Sequence, residues 1–188
     1  MKDIIPRCPW CGVDELYTEY HDNEWGIPLH DDKKLFEFLL LESFQAGLSW
    51  ITILRKRENF RKAFNNFEPK KVAIYDNEKV SNLLQDSGII RNRAKIEAAI
   101  NNAKVYLAIQ KEYGTFDNYI WQFVDYTPII NQWENMSEVP SITEEATIMS
   151  KQLKKDGFKF IGPTTCYAFM QATGMVNDHL IDCHKYNV

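Results

Sequence analysis

Leu153-Lys-Lys-Asp-Gly157-Phe-Lys-Phe-Ile-Gly162-Pro-Thr-Thr-Cys-Tyr-Ala-Phe-Met-Gln171 sets the reading of the chain. A helical pattern ends at Gly157. Gly162-Pro163 then opens another helix, with proline at a first-turn position where its missing N–H costs nothing. The link between them carries Phe158, Phe160 and Ile161, which are expected to anchor the turn in the core. Two glycines let the backbone approach another molecule closely, and the N-terminus of the second helix offers unpaired amides and a positive dipole end. Lys151, Lys154, Lys155 and Lys159 surround it. The segment reads in two ways. It is a helix-hairpin-helix clamp for the phosphates of a DNA backbone, or an ordinary corner between helices with solvated lysines. These residues alone leave both open.

Outward from the hairpin, strand signals are scarce, and Gly, Pro, Asp and Asn punctuate periodic apolar segments. The first long helix is expected over about 33–45, with Asp31 and Asp32 as candidate caps and Gly47 as stop. Its Leu35, Phe36, Phe38, Leu39, Leu40 and Leu41 cover most of the circumference, which predicts a central buried helix. A second covers about 49–64, with Trp50, Ile53, Leu54, Arg57 and Phe60 at i, i+3, i+4 spacing and the basic run 55–57 facing water. A short segment opens at Pro69, and another helix carries Val80, Leu83 and Leu84. A long helix is expected over about 92–113, ended by Gly114, with Thr115 capping the next. Residues 125–140 read as irregular, and Ser141-Ile-Thr-Glu144 fits a capping box for a helix running to about 156.

With 188 residues, 45% of them hydrophobic and 26% charged, the chain can bury a sizeable core and is neither disordered nor fibrous. Its net charge of −4 gives no general attraction to nucleic acid, so contact with DNA would need a local basic patch or backbone amides. The densest apolar run, 38–41, is far short of the roughly 18–20 residues of a membrane span, and no secretory signal is visible. A cytoplasmic chain with no membrane partner is expected. Its four cysteines then read as thiols or metal ligands rather than disulfides.

Cys8-Pro-Trp-Cys11 has the C-x-x-C spacing of zinc sites and of redox pairs. His179 and Cys183 share a face if that segment is helical and can chelate one ion. Cys166 lies on a periodic apolar stretch and reads as core, and His30 shows no partner. Spacing therefore leaves the ligand set open: Cys8, Cys11 or both, His179, Cys183, and His21 or His184 as further donors. A thioredoxin-like role lacks βαβ surroundings.

Two further stretches carry candidate chemistry, Leu16-Tyr-Thr-Glu-Tyr20-His-Asp-Asn-Glu-Trp-Gly26 and Leu41-Glu-Ser-Phe-Gln-Ala-Gly47-Leu-Ser-Trp50. Glu42 ends an otherwise apolar helix, and a buried carboxylate is costly unless it is hydrogen-bonded or faces a pocket. Tyr17, Tyr20, Trp25 and Trp50 offer flat π faces that stack bases and attract a cationic ring, with plain core packing as the alternative.

Taken together, Tyr20-His-Asp-Asn-Glu-Trp-Gly26, Gln45-Ala-Gly-Leu-Ser-Trp-Ile51, Lys56-Arg-Glu-Asn59, Gly88-Ile-Ile-Arg91, Gly157-Phe-Lys-Phe-Ile-Gly162 and Val176-Asn-Asp-His179 resemble the 3-methyladenine DNA glycosylase I family, in order along nearly the whole chain. The resemblance implies an all-α helix-hairpin-helix DNA glycosylase fold over residues 1–188, with two helical lobes sharing a cleft. The terminal segments with a zinc ion form one lobe, and the central helices with the hairpin form the other. Carried over by position, the structural zinc ligands are Cys8, His21, His179 and Cys183. The base pocket maps to Glu42, Tyr17, Tyr20, Trp25 and Trp50, with Glu42 and Tyr20 in the catalytic roles. Gly47, Leu48, Gly157, Lys159, Gly162 and Thr164 fall where the family meets DNA, and Leu48 is expected to fill the gap left by an extruded base.

The implied activity is base-excision repair by a monomer. It hydrolyses the glycosidic bond of 3-methyladenine in alkylated double-stranded DNA and leaves free 3-methyladenine and an abasic site. Many relatives in the superfamily place an aspartate just after the hairpin helix to activate water. Asp178 lies near that place but beside His179, so the choice between Glu42, Asp178 or neither stays open. No lysine is placed as a Schiff-base nucleophile, which predicts a monofunctional enzyme. The competing readings are a non-catalytic lesion-binding module, a thiol redox protein using Cys8 and Cys11, and a purely structural protein.

Overall fold

Asp14 accepts a hydrogen bond from the amide of Tyr17 and opens α1, Glu15–Asn23, in the computed structural model, which describes residues 5–186. The sequence pattern predicts no helix there. Its apolar signal is faint because α1 buries only Tyr20 and His21. Asp31 caps α2, Asp32–Gln45, whose residues 35–44 are all buried. A helix with no polar face belongs at the centre of a core, and α2 packs against α3 (Trp50–Ala63), α6 (Arg93–Tyr113), α7 (Phe116–Trp121) and α9 (Pro163–Ala172). The short α4, Pro69–Val72, and α5, Asn77–Gln85, lie along α6, and α8, Glu144–Lys155, pairs with α9. The sheet is a single two-residue parallel pairing among the described residues, β1 (Ile129–Ile130) with β2 (Val176–Asn177).

One core cluster runs through these helices, from Tyr20 to Val176. A smaller cluster gathers Cys8, Leu180 and Cys183 against Trp10, Trp25, Trp133 and Val139. The strap after α1 lies along the end of α9, with the Gly26 amide donating to the Gln171 carbonyl and Leu29 to Thr173, both at 3.0 Å. The approach requires glycine at 174. Its φ is +68°, and a Cβ there would sit 2.3 Å from the backbone of Ile27 and Pro28.

Four local expectations change. Arg57 does not face water. It is buried against the Phe38 ring at 4.9 Å, and it donates to Glu37 at 2.6 Å and to both oxygens of Glu24 at 2.8 Å. The α8 cap is Thr143, not Ser141, because its side chain accepts from the amide of Ala146. Phe158 and Ile161 anchor the hairpin, but Phe160 is exposed, held at φ +56°. His30 has partners: it stacks on Trp121 with centroids 4.3 Å apart and pairs with Asp117 at 2.9 Å.

Candidate functional site

The buried run of α2 ends at Phe44, and Glu42 on that run is only 4% exposed. It faces a cavity of about 220 Å³ bounded by α1, the start of α3, α9 and the segments near both chain ends. Trp10, Tyr17, Tyr20, Trp25 and Trp50 line it, with Gln45, Met136, Val139, Ala168, Gln171 and Asp178. The aromatic walls brace one another. Trp10 meets Tyr17 and Trp25 edge-on with centroids 4.9 Å apart, Tyr20 meets Trp50 at 5.4 Å, and Phe38 stacks behind Trp50 at 6.3 Å.

Among the described residues, the buried side-chain polar atoms without a hydrogen-bond partner are Trp10 Nε1, Glu42 Oε2 and Trp50 Nε1. All three residues line this cavity. Folded proteins rarely leave such atoms unpaired, because each costs about 1–3 kcal/mol. The residues that carry these two indole donors and one carboxyl oxygen thus share the wall of one aromatic cavity. Burial raises the Glu42 carboxyl from the ordinary value of 4.5 to about 8, so it is neutral in the free protein at pH 7. Burial, reinforced by nearby Glu42, likewise holds the Tyr20 hydroxyl well above its usual range.

Asp178 is arranged differently. Its Oδ1 accepts from Asn131 and Trp133 at 2.7 Å each, and its Oδ2 accepts from Tyr167 at 2.5 Å and Gln171 at 2.7 Å. A carboxylate has about four lone-pair sites. All are taken, which leaves no acceptor on Asp178 for a water molecule.

Behind Trp25 lies a second constellation. One ligand atom from each of Cys8, His21, His179 and Cys183 falls within 4.8 Å of the others, and all four residues are buried. Cys8 Sγ is 3.6 Å from His179 Nδ1, and Cys183 Sγ is 3.5 Å from both His179 Nδ1 and His21 Nε2. The remaining ring nitrogens set the tautomers. His179 Nε2 donates to the Trp25 carbonyl at 3.1 Å, and His21 Nδ1 pairs with Asp22 at 2.7 Å. Both lone pairs therefore point inward. Gly26 makes room for this, since a Cβ there would lie 2.9 Å from His179 Nε2. Burial pushes the Cys8 thiol up to about 12 and the His179 imidazole down to about 4.

Cys11 and His184 stand aside from the cluster. The Cys11 thiol donates to the Cys8 carbonyl at 3.2 Å, and His184 Nδ1 bonds the Pro6 carbonyl at 2.8 Å. A redox pair needs an exposed thiol of low pKa. Cys8 and Cys11 are both buried, with thiols pushed upward by burial.

The turn 46–49 follows α2, with Gly47 at φ +80° and Leu48 exposed. Glu42, Gln45, Ala46, Gly47, Leu48, Thr164, Thr165 and Ala168 line a second depression. Glu42, Gln45 and Ala168 belong to both hollows, so the aromatic cavity runs out into a groove between this turn and the first turn of α9. Gly157, Lys159 and Gly162 lie on the adjoining hairpin, and Lys159 is exposed.

Residues 10–186 match the family model for methyladenine glycosylase. The chain belongs to the methyladenine glycosylase family. It is 52% identical over 182 residues to DNA-3-methyladenine glycosylase 1 of Escherichia coli (strain K12), covering 97% of each chain. A crystal structure of a 3-methyladenine DNA glycosylase I superposes with a TM-score of 0.94 at 49% identity, covering 96% of this chain and 99% of that one. The 3-methyladenine DNA glycosylase I of Staphylococcus aureus, solved to explain 3-methyladenine recognition, gives 0.92 at 43% identity over 95% of each. In this methyladenine glycosylase, sequence reading missed Trp10, Gln45 and Gln171 as lining residues. Trp10 carried a signal, as an aromatic between two cysteines, but those cysteines drew attention to themselves.

Proposed function

We propose that the chain is a monofunctional DNA-3-methyladenine glycosylase that acts on alkylated duplex DNA in base-excision repair. The three unpartnered polar atoms in an aromatic cavity carry this reading. They form a recognition set for a flat, polar, cationic ring.

Alkylation at N3 makes adenine cationic while it is still joined to deoxyribose. The base needs no acid to leave, and the protein's task is to extrude it, stack it and stabilise its charge. Tyr17, Tyr20, Trp10, Trp25 and Trp50 supply π faces for the cation. Glu42 supplies an acceptor for the adenine edge and gives up its proton to solvent as the positive ring arrives. The C1′–N9 bond breaks with its electron pair passing to the ring, which leaves neutral 3-methyladenine. Water then adds to C1′, giving an abasic sugar and a proton. Asp178 is fully engaged by its four donors and serves as a strut beneath the pocket. Among the described residues no lysine lines the cavity, which supports hydrolysis without a Schiff base.

The cluster fits zinc. Bonds of about 2.3 Å to sulfur and about 2.0–2.1 Å to nitrogen, at tetrahedral angles, put sulfur and nitrogen about 3.6 Å apart. Three of the sulfur–nitrogen separations here are 3.5–3.6 Å, and all four donor atoms lie within 4.8 Å of one another. Zinc, when bound, supplies a cross-link between the chain ends with a full set of protein donors and no open position for water. Among the described residues, no helix is long and apolar enough to cross a membrane. With a net charge of −4, contact with DNA falls to Leu48 and the Gly47 turn, to the Gly157–Gly162 hairpin with Lys159, and to Thr164 at the start of α9.

The test is incubation with methylated duplex DNA, with chromatography of the released bases and borohydride trapping of the strand. Free 3-methyladenine and abasic sites without a trapped adduct are expected. No release with protein in excess over lesions overturns the activity, and a trapped β-eliminated strand overturns the monofunctional assignment.

A further inference from the structure

α6 lines neither the aromatic cavity nor the adjoining groove, yet it holds two buried polar side chains whose partners are the elements assigned to DNA contact. Lys95 is 8% exposed, and its Nζ donates to the carbonyls of Phe44 at 3.0 Å and Ala46 at 2.6 Å. Those carbonyls end α2, where a helix has no internal donors left and where a cation suits the dipole. The next residue is Gly47, and Leu48 follows it.

Asn102 is fully buried and behaves as a peptide group. Its Oδ1 accepts from the Lys159 amide at 2.8 Å, and its Nδ2 donates to the Lys159 carbonyl at 2.9 Å. Only one orientation of the amide satisfies both bonds. Asn101 adds a bond from its Nδ2 to the Gly157 carbonyl at 2.8 Å. The clamp grips the backbone immediately before Phe160, the hairpin residue held at φ +56°.

Folding alone does not require a side-chain partner at the Ala46 carbonyl or at Lys159. Ala46 and Lys159 are exposed, so water could satisfy their backbone groups, whereas the Phe44 carbonyl is buried and needs an internal donor. A buried lysine is costly, and an apolar side chain would pack in its place. What the buried polar groups add is directional geometry. Lys95 and Asn102 lie two turns apart on one face of α6, separated by a rise of roughly 10 Å along a rigid axis.

We propose that α6 is a brace, and that Lys95 and Asn102 are positioning residues fixing the separation between the Leu48 turn and the 157–162 hairpin so that both engage one duplex in a single geometry. This rests on the glycosylase reading. Neither side chain touches substrate.

The test compares Lys95→Met, Asn102→Leu, the double variant and the milder Lys95→Arg and Asn102→Asp. Each is measured for kcat/KM on methylated duplex, for Kd of free 3-methyladenine and for Tm. Misplacing a DNA element by about 1 Å costs on the order of 100-fold, so each apolar variant should lose about 10- to 100-fold in kcat/KM, with free-base Kd within about twofold of wild type. Two sites this far apart should add in Tm if they act only on folding. In kcat/KM the double variant should fall little below the worse single, because a brace released at one end is already released. Lys95→Arg, which keeps two donors, should recover most of the duplex activity. Multiplicative losses in kcat/KM, parallel loss of free-base binding, or wild-type activity in both apolar variants overturns the brace. Where an apolar variant does not fold, wild-type duplex activity in Asn102→Asp or no recovery in Lys95→Arg overturns it instead. If the wild-type protein itself releases no 3-methyladenine, the glycosylase reading has failed rather than the brace.

Discussion

Glu42→Gln should make the protein more stable and a worse enzyme, with the stability gain depending on pH in a defined way. Glutamine imitates the neutral acid, and the neutral acid is what the apolar cavity favours. The folded state binds the Glu42 proton up to about pH 8, whereas an unfolded glutamate releases it near 4.5. Below 4.5 both states are protonated and the residue contributes nothing to the pH dependence. Between 4.5 and about 8 only the folded state holds the proton, so wild-type stability falls as pH rises. Above about 8 the loss is complete. At about 1.4 kcal/mol per pH unit, the deficit reaches about 3 kcal/mol at pH 7, and Glu42→Gln should abolish it. Urea unfolding of both proteins at several pH values from 5 to 8 measures this, and the gap should widen by about 1.4 kcal/mol per unit over most of that range. Release of 3-methyladenine should fall about 10- to 150-fold, the worth of a charge-assisted hydrogen bond of about 1.5–3 kcal/mol. A gap that does not change with pH, or a glutamine variant less stable at pH 8, would refute the neutral buried carboxyl. Near-wild-type release would remove Glu42 from the chemistry.

Cys183→Ala removes one of the four clustered donors, and the purified variant should lose its zinc and several degrees of Tm together; an unchanged metal content by emission spectroscopy refutes the ligand set. Asp178→Asn turns an amide NH2 toward one of two donor pairs and should cost about 2–3 kcal/mol in denaturant unfolding; equal stability would mean that the four donors are not competing for its oxygens. Gly26→Ala places a methyl 2.9 Å from His179 Nε2 at φ +76°. It should cost about 1–3 kcal/mol and speed zinc loss to a chelator, and a wild-type chelation rate would show that the Trp25–His179 contact does not support the cluster.

What was legible in the sequence followed periodicity and punctuation. α2 and the hairpin carried strong local signals. Apolar residues around most of a helix's circumference require burial on every side, and a Gly…Gly-Pro pair both stops one helix and starts the next. α1 did not, since its buried face is two residues wide. Arg57 misled for a different reason. A charge reads as solvent-facing unless its partners are known, and Glu37 and Glu24 lie 20 and 33 positions away. The same limit applies to the Cys/His cluster. Spacing left Cys8, Cys11 or both open, and it is tertiary geometry that turns Cys11 toward a backbone carbonyl and brings His21 from α1 beside Cys183. The cavity draws on both ends of the sequence, whereas the family pattern placed only Tyr17, Tyr20, Trp25, Glu42 and Trp50 in it beforehand.

The cluster spans the chain, with Cys8 and His179 separated by 171 positions. During synthesis α1 can dock on α3 through Tyr20 with Trp50 and Glu24 with Arg57, but Cys8, His21 and the Trp25 carbonyl lack His179 and Cys183 until those residues have left the ribosome. Such distant pairing forms late. Trp25, whose carbonyl is held by His179, is therefore the last part of the aromatic wall to be fixed. A nascent or C-terminally clipped chain would hold a formed helical core with Trp25 unanchored, so the last side of the pocket to set is the one made by the last residues to be synthesised.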